Sequence, residues 1–93
     1  MNKWVIEFTK HSVKQFQQLP IRLQFKVRVL VDEMRINGPV RGNWKNYSKL
    51  GFTKHHCHLS GGRPTYVMCW EVKDNLNKKI EVYYVGSHEK APY

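Results

Sequence analysis

PIRLQFKVRVLVDEMRINGP, residues Pro20 to Pro39, is the stretch whose reading decides the fold. Within it Leu23, Val27, Leu30 and Met34 recur at spacings of four, three and four, which is one apolar stripe along a helix. Pro20 suits the first turn of that helix, and Asn37-Gly38-Pro39 stops it. The stripe is a packing face, so the helix must lie on something apolar. Upstream, Trp4, Ile6 and Phe8 alternate with Val5 and Glu7 as a short strand, and Thr9 can cap a first helix running to about Gln18, with Val13, Phe16 and Leu19 on its buried side.

Downstream of Pro39 the period changes to that of strands. Trp44 to Leu50, Lys54 to Leu59, Pro64 to Val72 and Lys79 to Val85 are separated by turn signals at Gly51-Phe52, Gly61-Gly62 and Asp74-Asn75-Leu76-Asn77. The order β-α-α-β-β-β-β predicts an α+β fold, with two N-terminal helices packed on one face of an antiparallel sheet and the opposite face open or partly open. At 93 residues and 41% hydrophobic content, a single domain spanning 1–93 is expected, with one modest core and no need of a metal or disulfide staple. The opening Met1-Asn2-Lys3-Trp4-Val5-Ile6-Glu7 breaks its apolar residues too early for a signal peptide. No run approaches the roughly 18 apolar residues that span a bilayer, so the chain is expected in the cytoplasm, away from membranes. Cys57 and Cys69 sit in apolar strand patterns and read as buried thiols.

The charge is +9, and its placement is more informative than its size. Between Glu33 and Glu71 there is no acidic residue, while Arg35, Arg41, Lys45, Lys49, Lys54 and Arg63 fall in that window. A field of one sign carried on folded elements attracts a polyanion to a shaped surface.

The same window holds Lys54-His55-His56-Cys57-His58-Leu59-Ser60-Gly61-Gly62-Arg63, with three of the five histidines. Strand parity puts Lys54, His56 and His58 on one face and His55, Cys57 and Leu59 on the other, the face covered by helices. Arg63 at the hairpin can fold back over the first face, and His88, just past the last strand, can approach it from the side. A zinc site is disfavoured because Cys57 points away from His56 and His58. A cysteine nucleophile is disfavoured by the apolar setting. General acid–base cleavage of RNA needs a base, an acid and cations for the phosphorane-like transition state. Histidine, lysine and arginine suffice for it, with no metal and no cofactor.

The order of elements, Ile6-Glu7-Phe8-Thr9 before a lysine-bearing helix with Phe16 and Leu19-Pro20, the segment Tyr47-Ser48-Lys49-Leu50-Gly51, the His58-Leu59 strand leading to Tyr66-Val67, and the ending Tyr84-Val85-Gly86-Ser87-His88 with Tyr93 resemble the RelE/ParE toxin superfamily. The resemblance is closest to RelE, HigB and YafQ-like messenger RNA interferases. It implies the toxin of a type II toxin–antitoxin pair, a ribosome-dependent endoribonuclease that cuts mRNA by 2′-hydroxyl attack and leaves a 2′,3′-cyclic phosphate. By that resemblance His56 and His58 stand where RelE carries two inward lysines, and His58 also matches a strand histidine of YafQ-like toxins. His88 falls where these families carry Arg or His after Val-Gly-x, and Tyr93 resembles a C-terminal tyrosine that stacks on a base or moves a proton. Thr65 stands where RelE has a phosphate-binding arginine, a role then left to Arg63.

The catalytic candidates are therefore His58, His88, His56 and Tyr93, and the substrate-binding candidates Lys54, Arg63, Lys49 and Lys45. The partners implied are a cognate antitoxin with an acidic segment, the ribosome and mRNA, and DNA only indirectly through the antitoxin. A ParE-like inhibitor of DNA gyrase and a plain RNA-binding module remain the alternatives.

Overall fold

The computed structural model describes residues 3–93, so Met1 and Asn2 of the opening segment lie outside it. Its elements are β1 (Val5–Phe8), α1 (Lys10–Gln17), α2 (Ile21–Asn37), β2 (Ser48–Lys49), β3 (Lys54–His58), β4 (Tyr66–Asp74) and β5 (Lys79–Ser87), followed by a single 3₁₀ turn, His88–Lys90. Thr9 caps α1 as expected, its side chain accepting a hydrogen bond from the Ser12 amide at 3.0 Å. Pro20 is the N-cap of α2, and Gly38 ends it at φ 90, a conformation that favours glycine. Among the described residues no helix is long and apolar enough to cross a membrane.

The five strands form one sheet in the order β1-β5-β4-β3-β2. β2 to β5 are antiparallel to their neighbours, as expected, but β1 pairs with β5 in parallel, so the sheet is mixed. Alternation within a strand carries no information about which edge it joins. The two helices bring the chain back across one face, which leaves β1 running alongside β5. The expected strand over 44–50 shrinks to Ser48–Lys49, because Asn46 takes a left-handed backbone (φ 52) and Trp44 is tied to α2 through Glu33.

Leu23, Val27, Leu30 and Met34 of α2 are all buried, against Cys57, Leu59, Met68, Trp70, Ile80, Val82 and Val85 of the sheet. Fully burying a side chain of this size contributes about 1.5–3 kcal/mol, so the stripe alone fixes the helix on the sheet. The other face carries a smaller cluster of Val67, Cys69 and Tyr84, on which Tyr83 and Ala91 pack. Both cysteines are buried free thiols, one in each cluster, and burial pushes each up to about 12.

Candidate functional site

β3 carries three histidines, and parity divides them. His55 pairs with Trp70 across the strands, and its ring packs against both Tyr47 and Trp70, with centroids 5.9 Å from each, while those two rings lie 6.2 Å apart. It is 3% exposed, and burial, aided by the charge of Lys49, pulls its pKa down to about 4. His55 is a neutral core residue.

His56 and His58 emerge on the opposite, open face. His58 pairs with Val67, which pairs in turn with Gly86, so β4 and β5 carry the chain end to the same place. There the His88 amide donates to the Thr65 carbonyl at 2.8 Å, and the 3₁₀ turn reverses the backbone. Gly86 matters at this point: a Cβ on it would lie 2.8 Å from the Tyr84 hydroxyl, which donates to the Ser87 carbonyl at 2.7 Å. Ala91 then packs on the open-face cluster and Tyr93 folds back over the sheet. The result is a continuous set of rings: His56 to His58 6.0 Å, His58 to His88 5.3 Å, His56 to Tyr93 4.6 Å, and His88 to Tyr93 5.9 Å between centroids.

His56 is buried, whereas His58 is half-buried and His88 exposed. Burial lowers the pKa of His56; hydrogen bonding to Ser48 opposes the shift and the nearby His88 adds to it. Burial also lowers that of His58, followed by repulsion from His88, His56 and Lys45. Both imidazoles are thus biased to the neutral form near neutral pH. Burial raises the pKa of the Tyr93 phenol, which stays protonated.

The cationic candidates are distributed unevenly. Lys45 lies beside Gly61 and bears on His58. Lys54 shares the face of His56 and sits 5.5 Å from the centre of the Tyr83 ring, an aromatic neighbour the sequence reading did not single out. Arg63 is exposed and lines a cavity of about 460 Å³ with Pro64, Thr65, Ser87, His88 and Glu89. Lys49 is the exception, since its register partner is His55 and it therefore lies on the other side of β3. The acid-free window of the sequence is also not wholly acid-free in space, because Glu71 pairs with Lys54 across β3 and β4.

Three consecutive residues that the sequence reading left out of the site hold the strand histidines. Asn46 Nδ2 is 3.2 Å from His58 Nδ1, the Tyr47 hydroxyl 2.7 Å from His55 Nδ1, and the Ser48 hydroxyl 3.1 Å from His56 Nδ1. Each binds the same ring nitrogen. The sequence reading takes residues 44–50 as one strand, and a strand pattern gives no sign that three neighbours each engage a different β3 histidine.

No protein-family model matches the chain, and no curated protein matches it. Solved structures do. A chain of the archaeal RelE–RelB complex from Pyrococcus horikoshii OT3 superposes with a TM-score of 0.70 at 16% identity, covering 98% of this chain and 100% of that one. A chain of the YoeB–YefM toxin–antitoxin complex from Staphylococcus aureus gives 0.68 at 15% identity, with 92% and 98% covered. A toxin from Helicobacter pylori, described as metal-bound, gives 0.59 at 19% identity, with 92% and 96% covered. The chain has the RelE-like fold, over essentially its whole length.

Proposed function

We infer that this protein is the toxin of a type II toxin–antitoxin pair, and that it is a ribosome-dependent endoribonuclease cutting mRNA by general acid–base catalysis. The observation that carries the reading is the meeting of His56, His58, His88 and Tyr93, from two distant segments, on one open sheet face. Its fold, shared with toxins solved beside RelB and YefM, supports the same class and an antitoxin partner here.

In the proposed reaction a neutral imidazole takes the proton of a ribose 2′-hydroxyl. The oxygen attacks the adjacent phosphorus, the bond to the 5′-oxygen breaks, and that oxygen receives a proton from an acid on the same face. The products are a 2′,3′-cyclic phosphate and a 5′-hydroxyl. Lys45, Lys54 and Arg63 attract the backbone and offset charge building on the phosphoryl oxygens. Tyr93, half exposed and edge-on to His88, offers a stacking surface for a base. An antitoxin with an acidic segment would cover this face in the resting cell; the pair would act in the cytoplasm and would reach DNA only through that partner.

Induced expression of wild type beside His58→Ala and His88→Ala, with 5′-end mapping of transcripts, tests the reading. Cleavage within coding regions that the substitutions abolish is the expected result. Cleavage that survives loss of both imidazoles refutes it, as does growth arrest with DNA damage and intact mRNA, the outcome of a gyrase poison.

A further inference from the structure

Asn46, Tyr47 and Ser48 each engage the Nδ1 of a β3 histidine, but their chemistries differ. A hydroxyl can donate or accept, whereas an amide nitrogen only donates. His58 Nδ1 faces the Asn46 amide nitrogen at 3.2 Å, so it must accept, and the proton of the neutral ring is left on Nε2. Among the described residues no protein group bonds that Nε2.

Two further features hold Asn46 where it is. Its backbone is left-handed (φ 52), a conformation asparagine tolerates better than most residues. The preceding carbonyl, that of Lys45, accepts the His58 amide at 2.8 Å, pinning the loop to β3 at this residue. Ring and backbone of His58 are thus gripped by adjacent residues of one turn. The charged and titratable groups facing the ring are His56 on β3, His88 on the 3₁₀ turn and Lys45 on the loop, and none of them is acidic.

We propose that Asn46 is a positioning residue for His58, keeping the neutral imidazole as the Nε2–H tautomer so that it serves the open face as a hydrogen-bond donor. His58 then steadies a phosphoryl or leaving-group oxygen, and the proton-accepting role passes to His56 or His88. This assignment rests on reading the face as an RNA-cleaving site, but the tautomer itself is measured without any substrate.

The test is nitrogen-15 NMR of histidine-labelled protein across a pH series. In wild type, His58 is expected with Nε2 protonated and Nδ1 bare. Asn46→Asp keeps the shape and the left-handed backbone but replaces the donor with an acceptor. It is expected to move the proton to Nδ1 and to raise the His58 midpoint by about one pH unit, as an opposite charge at contact does. Asn46→Gly, which fits the backbone and removes the amide, is expected to give a tautomer mixture. Ser48→Ala should leave His58 unchanged while altering His56. An Nδ1-protonated His58 in wild type, or the same protonated nitrogen in wild type and Asn46→Asp, overturns the proposal. Wild-type Nε2–H with no RNA cleavage in any variant overturns the ribonuclease reading and leaves the positioning role standing.

Discussion

His55 makes stability a function of pH through a ring packed beneath the helices, its pKa displaced far below the ordinary value. Its pKa of about 4 in the folded state lies well below the ordinary 6.5 of an unfolded chain, because the ring is buried against Tyr47 and Trp70 and lies near Lys49. The unfolded chain therefore binds the proton first, and stability falls as pH drops through 6.5 and levels off below about 4. Each pH unit in which only the unfolded state is protonated costs about 1.36 kcal/mol, so by about pH 4.5 the loss reaches about 2.5 kcal/mol relative to pH 7.5. Against a total stability of about 5–15 kcal/mol this is readily measured. Urea unfolding followed by circular dichroism at the two pH values, in wild type and His55→Phe, isolates the effect. Phenylalanine keeps the stack and cannot titrate, and any constant cost of losing the Tyr47 hydrogen bond cancels in the difference. His56 and His58, lowered in the same direction, act in both proteins alike. An equal pH dependence in the two proteins would refute the argument, as would a His55 resonance titrating near 6.5.

Two other perturbations follow from the packing. Gly86→Ala places a methyl against the Tyr84 hydroxyl and breaks its bond to the Ser87 carbonyl, costing about 1–3 kcal/mol and displacing the His88 turn, so cleavage should fall more than melting temperature does. Glu33→Ala removes the oxygen that accepts from Arg41, Asn43 and Trp44 at 3.3, 3.0 and 2.9 Å, freeing the loop before β2 at a cost of about 2 kcal/mol in denaturant unfolding. Burial raises the Glu33 pKa, but those three hydrogen bonds outweigh it and the net shift is downward, so its contribution is present above 4.5 and lost as pH falls below. Glu33→Gln should abolish that acid-side loss.

Where the residue pattern itself carries the constraint, the sequence reading mostly matched the structure, although Val13, expected on the buried side of α1, is exposed and Ser12 is the buried residue of that helix. The four α2 positions spaced four, three and four are all buried, and the period of two correctly sent Cys57 and Leu59 to the core and His56 and His58 to the open face. It failed where structure depends on what lies beside a segment. Lys49 was counted with the binding residues because it is basic, yet pairing with His55 puts it on the other face. Asn46 and Ser48 read only as positions in a strand over 44–50, since a side chain that caps an imidazole needs proximity and leaves no mark on the period. β1 read as a strand from its own residues, but its parallel partnership with β5 is decided by the path of the two helices.

These outcomes share one cause, the register of β3. A slip of one residue would put His55 on the open face and drive His56 and His58 into the core. Packing two imidazoles beneath the helices, where the structure packs only His55, would require either an added desolvation cost or a second partner like Tyr47. Trp70 stacked on His55 therefore stabilises more than the core. By fixing which histidine is inside, it also fixes which two meet His88, so Trp70→Ala should release the constraint on both at once. Loss of the His55 stack with unchanged contact between His58 and His88 would show that the register is held elsewhere.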